Sequence, residues 1–416
     1  MKKFKKVLSA VLAATMVMAL SACGSATETE TASASEVTGA EAAQTASSDV
    51  KVGFIFLHDE NSTYDLNFIN GATQACEAAG VEYMLKTNIP EGQECYEAAC
   101  ELADAGCDIV FADSFGHEDY MIEAAKEYPE VQFCHATGTK AHTEGLSNYH
   151  NAFATIYEGR YLAGIAAGMK LNEMIANGEI TEDQAKIGYV GAYTYAEVIS
   201  GYTSFFLGAR SVCPSTTMEV TFTGSWYDET AEKEGANKLI EDGCVLLSQH
   251  ADSMGAPTAC EKAGVPDVSY NGSTASACPN TFIVSSRIDW TPYFAYIIDA
   301  VANGTEIATD WVGTLETGSV VLTDLGNAAA EGTAEAIEEA EKAMNAGTLH
   351  VFDTTTFTVN GETLTSYMAD VDTDAEYTAD TEVITDGYFA ESGSEFRAAP
   401  YFDLQIDGIS LLDTAY

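Results

Sequence analysis

Short apolar runs alternate with longer amphipathic segments through the first third of the chain. The runs at 52–57, 81–85, 108–112 and 131–134 are typical of buried parallel strands, and the segments at 66–79, 92–105 and 120–128 are typical of helices. A strand–helix–strand order of this kind favours a parallel sheet with helices on both faces. The sequence therefore predicts an α/β fold with a doubly wound parallel sheet.

The same alternation begins again after residue 150. Helices are predicted at 157–176, 197–211, 229–242, 256–263 and 290–303, and strands at 186–190, 218–223, 245–248, 268–270 and 282–285. We expect two lobes, one formed by 50–150 plus 286–325 and the other by 151–285 plus 326–416. The crossovers between the lobes are expected near 149–154, 285–289 and 326–330, with a ligand in the cleft at the hinge.

The N-terminus resembles an export and anchoring signal. Four lysines within Met1–Lys6 precede an apolar run at 7–20, which ends in Leu20-Ser-Ala-Cys23 and resembles a bacterial lipobox. The sequence predicts a signal peptide over 1–22, lipidation of Cys23 and a disordered tether over 23–49. An ordinary secretory signal with a chance cysteine is the alternative. We expect an extracytoplasmic protein held on the cell membrane by its lipid.

The charge balance excludes one class of partner and disfavours another. Asp and Glu number 64 against 18 Lys and Arg, giving a formal net charge of -46, so a nucleic-acid partner is excluded. The four arginines are too few and poorly placed to favour an anionic ligand.

Apart from Cys23, the cysteines are expected to be small buried hydrophobes. We expect a monomer without metal or cofactor.

Aromatic and polar residues cluster where the predicted strands end. A flat, neutral heterocycle suits such a set, because pockets are aromatic-lined with a few placed polar groups. Ser, Asp and Asn at these places also commonly cap the next helix, so each residue taken singly is weak evidence. The candidate ligand-binding residues are Tyr64, Asp65, Ser114, Phe115, His117, Tyr193, Tyr195, Trp226, Gln249, His250, Asp252, Asn271 and Trp290.

Several motifs taken together resemble one family. The stretch from Val52 to Phe294 resembles the basic-membrane-protein family of ABC-transporter substrate-binding lipoproteins, which are similar to purine-nucleoside receptors. The motifs are Ala124-Ala-Lys-Glu-Tyr-Pro129, His135-Ala-Thr-Gly138, Tyr157-Glu-Gly-Arg-Tyr-Leu-Ala-Gly164, Gly224-Ser-Trp-Tyr-Asp228, Gln249-His-Ala-Asp-Ser253 and Trp290-Thr-Pro-Tyr293. The resemblance implies a type I periplasmic-binding-protein fold and an ABC permease as partner.

The resemblance also implies a ligand. Tyr64 matches the family's base-stacking Phe, and Asp65 replaces the amide that follows it. The nucleoside receptors carry an Asp near Asn271 and a Lys near Ile288 to hold ribose, and this chain has neither. We therefore expect a purine base to bind at least as well as its nucleoside, held by stacking, by N–H groups donated to Asp65 and Asp252, and by hinge closure.

Two other functions remain open from the residues. One is a tethered sensor or surface receptor for a sugar or another small solute, and the other is a nucleoside hydrolase. The chain contains none of the G-x-S-x-G, H-E-x-x-H or Walker A motifs, which favours a binding protein over an enzyme. At the C-terminus a helix over 328–345 and a hairpin over 352–364 around Asn360-Gly361 are predicted.

Overall fold

The computed structural model describes residues 49–371, 381–391 and 397–416. The predicted signal peptide, Cys23 and the tether up to residue 48 lie outside these residues. The first part of the fold consists of β1 (Lys51–Ile55), α1 (Thr63–Ala79), β2 (Glu82–Lys86), α2 (Gln93–Asp104), β3 (Ile109–Ala112), α3 (Glu118–Glu127), β4 (Gln132–Ala136), α4 (Ala141–Glu144) and β5 (Tyr149–Ala154).

The second part repeats the pattern. It consists of α5 (Ile156–Ala176), β6 (Lys186–Gly191), α6 (Ala196–Val212), β7 (Thr217–Phe222), α7 (Glu229–Glu241), β8 (Leu246–His250), α8 (Gly255–Ala263), β9 (Asp267–Tyr270) and β10 (Phe282–Ile288). The remaining elements are α9 (Thr291–Asn303), β11 (Asp310–Gly313), β12 (Val320–Leu322), α10 (Thr333–Asn345), β13 (Met368–Ala369), β14 (Thr381–Glu382), β15 (Ile384–Thr385), β16 (Tyr388–Phe389) and β17 (Ile409–Leu411).

Two sheets organise the molecule. Sheet 1 has the order β11-β5-β4-β3-β1-β2, and every pair in it is parallel. Sheet 2 has the order β12-β10-β9-β8-β6-β7-β17, and its β10–β12 pair is antiparallel. Helices cover both sheets, which confirms the predicted α/β fold of two doubly wound lobes. We call the part around sheet 1 the first lobe and the part around sheet 2 the second lobe.

Helix α1, beside the cleft, begins at a residue type that caps helix N-termini and ends at a glycine. Ser62 caps α1, its side chain accepting from the Asp65 amide, and Gly80 ends the helix with a φ of 68°. In the second lobe α5 and α6 approach closely, because a Cβ at Gly208 would overlap the carbonyl of Tyr161. None of the helices in the described residues is long and apolar enough to cross a membrane.

One of the three predicted crossovers is wrong, the one near 285–289 agrees with the structure, and the one near 149–154 falls on a strand directly before the observed crossover. Residues 149–154 form the buried strand β5, whose polar side chains find partners inside the lobe: the His150 imidazole lies 2.9 Å from Gln132 Oε1, and Asn151 donates to Glu118. The chain passes between sheets just after β5, just after β10, and in the segment joining β11 to β12. Gly326–Ala330 is therefore not the third crossover, and β12, placed in the first lobe by the sequence, pairs within sheet 2.

The predicted C-terminal hairpin is wrong beyond its turn. Asn360 and Gly361 have φ values of 54° and 82°, and Val359 and Glu362 exchange backbone hydrogen bonds across them. The residues before the turn do not form a strand, because Phe352 stacks on Phe402 with ring centroids 4.2 Å apart and helps fill the second lobe's core. The nine cysteines of the described residues have free thiols, and all except Cys100 are buried.

Candidate functional site

A cavity lies between the carboxyl ends of the two sheets. About 370 Å³ of space, part of it open to solvent, lies among its lining residues, which come from both lobes. Ligands of open parallel sheets bind at this position, outside the carboxyl ends of the strands. The lining residues are Leu57, His58, Tyr64, Asp65, Ser114, Phe115 and Thr137 from the first lobe, and Glu197, Trp226, His250, Asp252 and Tyr270 from the second.

The two lobes touch across this cavity. The Thr63 amide and hydroxyl both donate to the carbonyl of Asp252, over 3.1 and 3.2 Å. Aromatic pairs also span the cleft, with 5.4 Å between the ring centroids of His58 and Tyr227 and 5.6 Å between those of Phe115 and Tyr195. The structure therefore represents a closed arrangement of the lobes.

The first lobe contributes a coupled pair of buried carboxyl groups. Burial opposes ionisation of Asp65, but hydrogen bonds from His58 and Ser62 outweigh it and lower its pKa. Behind it, burial, the charge of Asp65 and a hydrogen bond with Asp65 raise the pKa of Asp113 well above its usual range. At neutral pH we therefore expect an ionised Asp65 and a protonated Asp113 that donates to it.

The second lobe contributes Asp252, Glu197 and His250. Burial, together with the nearby charges of Asp65, Glu232 and Glu197, raises the pKa of Asp252 well above its ordinary value. Burial also lowers the pKa of His250, whose Nε2 lies 3.3 Å from Glu197 Oε1. The cavity therefore offers a neutral carboxyl group, which can donate a proton, beside the ionised Asp65, which can only accept one.

Aromatic rings from both lobes line the cavity. Tyr64 donates its hydroxyl to the carbonyl of Asp113 over 2.7 Å and packs edge-on against Phe68. Trp226, on the other lobe, has the Tyr193 ring edge-on at 5.1 Å. These contacts fix both ring planes before any ligand arrives, which reduces the entropy lost on binding.

Seven of the thirteen predicted site residues line the cavity. They are Tyr64, Asp65, Ser114, Phe115, Trp226, His250 and Asp252. Three more lie next to it: Tyr193 and Tyr195 stack on each other at 5.1 Å beside Trp226, and Asn271 donates to Asp252 over 3.4 Å. Their side chains support the wall instead of forming it.

The other three predicted residues are packed away from the cavity. His117 is buried behind Asp113, its Nε2 lies 3.0 Å from the carbonyl of Ile89, and burial lowers its pKa to about 4. Gln249 donates to the carbonyls of Ala251 and Ser253. Trp290 is stacked on Phe68 at 4.3 Å in the first lobe's core. His117 and Trp290 follow strands and Gln249 lies within β8, but each of the three side chains points into its lobe.

Five of the lining residues are not among those predicted from the sequence. They are Leu57, His58, Thr137, Glu197 and Tyr270. Tyr270 is the last residue of β9 and Glu197 lies in the first turn of α6, so both stand at the cleft edge for topological reasons. The strand-end rule could have found them if the last strand residue and the first helical turn had been included. No cluster of metal-ligating side chains is found among the described residues.

The fold and site define a solute-binding protein of the two-lobed kind. A family model described as "ABC transporter substrate-binding protein PnrA-like" (Bmp) matches residues 56–349, and the chain belongs to this family. The resemblance inferred from the motifs is therefore confirmed. Proteins of this family bind a small solute for an ABC permease.

Two relatives are named for different ligands. A purine-binding protein of Brucella abortus (strain 2308) is 31% identical over 309 residues, which cover 73% of this chain and 83% of that protein. The "Putative ABC transporter glucose-binding protein TsgA13" of Haloferax volcanii is 34% identical over 226 residues. That match covers only 54% of each chain.

Solved structures agree with the fold. An ABC transporter solute-binding protein from Aeropyrum pernix K1 superposes with a TM-score of 0.62 at 17% identity, covering 73% of this chain and 93% of that one. A solute-binding protein from Conexibacter woesei gives a TM-score of 0.57 at 20% identity, covering 72% and 98%. At these identities the likeness establishes the architecture alone.

Proposed function

We propose that the protein is a lipid-anchored receptor that captures a purine base outside the cell membrane and delivers it to an ABC permease. The observation that carries this proposal is the closed cavity between the lobes. Its walls combine aromatic rings from both lobes with Asp65 and Asp252, and none of the lining residues in the described chain is Lys or Arg. Such a lining suits a flat, uncharged ring with its own hydrogen-bond donors and acceptors.

Stacking supplies much of the affinity in this proposal. Tyr64 approaches from the first lobe and Trp226 from the second, so closure of the cleft sandwiches the ring between them. Stacking of a base on an aromatic side chain is worth about 1–3 kcal/mol. Contacts that exist only in the closed form also provide the free energy that drives closure.

The two carboxyl groups select the edge of the ring. A purine presents both N–H donors and unprotonated ring nitrogens. Asp65, held ionised by its protein partners, accepts from an N–H, and the protonated Asp252 donates to a ring nitrogen. The sequence alone predicts that both aspartates accept, and the raised pKa of Asp252 changes its role to that of a donor.

A base fits better than its nucleoside. Asn271, which stands near the family's ribose-holding Asp, lies beside the lining residues with its amide turned toward Asp252. Ile288, near the place of the family's Lys, is buried in the first lobe's core. Neither residue offers a charged group for ribose hydroxyls, which supports the preference for the base.

Isothermal titration calorimetry against adenine, guanine, hypoxanthine, guanosine and D-glucose tests the ligand. We expect a purine base to bind at least as tightly as guanosine. Asp252→Asn, which keeps a donor, should retain binding better than Asp252→Ala. Tight binding of glucose with no response to any purine would contradict the proposal.

Sugar binding is the second candidate. The name of the haloarchaeal relative favours it, and carboxylates such as Asp65 and Glu197 also accept hydrogen bonds from sugar hydroxyls. The same calorimetric series separates the two candidates. Chromatography of the guanosine mixture after incubation, with release of free guanine as the readout, tests the nucleoside-hydrolase alternative.

The anchor rests on the lipobox-like Leu20-Ser-Ala-Cys23. Cys23→Ser removes the acylated thiol, so the protein should move from the detergent phase to the aqueous phase in a Triton X-114 partition. A mature-sized Cys23→Ser protein that still enters the detergent phase would contradict lipidation at this residue. Ser21→Ala, which keeps the cysteine, serves as the control.

A further inference from the structure

The C-terminal segment reaches from the second lobe to the first. The family match ends at residue 349, and the described residues 397–416 follow it. At its end the segment belongs to the second lobe, because β17 pairs in parallel with β7. At its start Ala398 is fully buried in the first lobe's core, and its amide donates to Asp310 Oδ1 over 3.1 Å.

The second-lobe end of the segment is firmly held. The Phe402 amide donates to one oxygen of Glu391 over 3.0 Å, and Ser200 of α6 donates to the other over 2.8 Å. Tyr202, also on α6, donates to Gln405 over 3.0 Å. The segment should therefore move with the second lobe when the cleft opens.

The first-lobe end is compact and locally fixed. The buried Arg397 guanidinium donates to the carbonyls of Ala399 and Pro400, over 3.2 and 2.7 Å, so it shapes the turn that presents Ala398. The receiving residue, Asp310, is itself buried, and its Oδ2 lies 3.3 Å from His142 Nδ1. Ala398 thus contacts a buried residue of the first lobe, Asp310, whose side chain is already positioned beside His142.

This contact lies away from the crossovers. The Thr155 amide donates to the carbonyl of Gly313, and the Asp289 amide donates to that of Ser319, so the three crossovers run side by side. Asp310 is the first residue of β11, at the other end of that strand from the crossover after Gly313. A rotation about the crossovers must therefore displace Asp310 from a segment that moves with the second lobe.

We propose that residues 397–399 are a latch, seated on Asp310 in the closed form and released when the lobes part. The latch also borders the cleft, since Arg397 and Ala399 line a second compartment that shares Phe115 and Trp226 with the ligand cavity. By adding a contact that only the closed form makes, the latch favours closure and slows the release of ligand.

Small-angle X-ray scattering of the ligand-free protein tests the latch independently of the ligand. Asp310→Ala removes the acceptor, whereas Asp310→Asn keeps an oxygen for the Ala398 amide. We expect Asp310→Ala to increase the radius of gyration and Asp310→Asn to scatter like the wild type. Asp299→Ala, an exposed aspartate of α9, is the matched control and should change nothing. Identical scattering of Asp310→Ala and the wild type would overturn the latch.

A second measurement uses the proposed ligand, so this arm rests on the proposed function. Adenine should leave Asp310→Ala about tenfold faster than the wild type, because the hydrogen bond from the Ala398 amide to Asp310 is lost. An unchanged dissociation rate would overturn the latch as a brake on release. Failure of adenine to bind the wild type would refute the purine assignment instead, and the scattering comparison would then decide the latch alone.

Discussion

Replacing Asp113 by asparagine should stabilise the protein at neutral pH. Asp113 is fully buried. Its Oδ1 accepts a hydrogen bond from the Leu57 amide over 3.1 Å, whereas its Oδ2 has no donor to accept from and can form a hydrogen bond only by carrying a proton itself. Its raised pKa means that the native state keeps a proton that the unfolded chain, with a pKa of about 4, has released. Asparagine has a comparable shape, accepts from Leu57, and donates to Asp65 without needing a proton.

The size of the effect follows from proton linkage. Between the unfolded and native pKa values of Asp113, the native state binds one more proton, so the stability of the wild type falls as pH rises. The fall is about 1.4 kcal/mol per pH unit. Asp113→Asn lacks this loss. The difference in free energy of unfolding between Asp113→Asn and the wild type should therefore grow from pH 4 upward at that slope, until the pKa of Asp113 in the native state is reached.

Urea unfolding followed by tryptophan fluorescence at pH 4, 5, 6 and 7 measures this slope. Asp65→Asn is the matched comparison with the opposite sign, because the lowered pKa of Asp65 contributes stability above the unfolded pKa that is lost as pH falls. Asp65→Asn should cost about 1.5–3 kcal/mol at pH 7, as expected for a hydrogen bond to a charged group. A difference between Asp113→Asn and the wild type that does not change with pH would refute a protonated Asp113.

Three further predictions separate site from scaffold. Trp226→Ala should weaken purine binding by ten- to a hundredfold in calorimetry. Trp290→Phe should leave the purine affinity unchanged but lower the free energy of unfolding by about 1–3 kcal/mol. Equal losses of affinity in the two variants would contradict the proposed site. Gly208→Ala should cost about 1–3 kcal/mol in urea unfolding through its clash with Tyr161, whereas Gly235→Ala, which meets Thr221 at 3.3 Å, should be tolerated. Purine affinity of the wild type should fall at high pH as Asp252 loses its proton, and Asp252→Asn should remove that dependence in the same titrations.

The sequence predicts the lobes because most of their strands are runs of apolar residues. β1, β3, β6 and β8 appear as such runs, and the helices between them end at glycine or at a capping residue. β11 begins with an aspartate and ends with a glycine, and β12 has only three residues, so neither gives a clear apolar run, whereas β3 is as short as β11 but apolar throughout. β5 resembles a connection between lobes in sequence because its internal polar side chains, satisfied within the lobe, interrupt its hydrophobicity.

The site was predicted in part for the same reason. The rule that ligands bind after parallel strands finds the cleft, but it cannot tell which way a side chain turns there. Trp290 follows a strand and Gln249 lies near the end of one, and both turn inward, whereas Tyr270 ends a strand and faces the cavity. Side-chain direction depends on partners from other elements, such as Phe68 for Trp290, and one sequence does not show which elements will meet.

The hydrogen bonds around Asp65 decide where ligand selectivity resides. A carboxylate has about four lone-pair positions. The His58 amide takes one over 2.8 Å, the Ser62 hydroxyl takes another over 2.5 Å, and the protonated Asp113 takes a third. The His58 ring, with Nδ1 at 3.4 Å, competes for the last. Asp65 can therefore accept at most one N–H from a ligand, and its main effect is the field of its charge. The choice between related purines then depends on Asp252 and Glu197 on the second lobe. Substitutions that exchange the donor and acceptor character of these two residues should therefore change which purine is preferred. Substitutions at Asp65 should instead weaken the binding of all purines together.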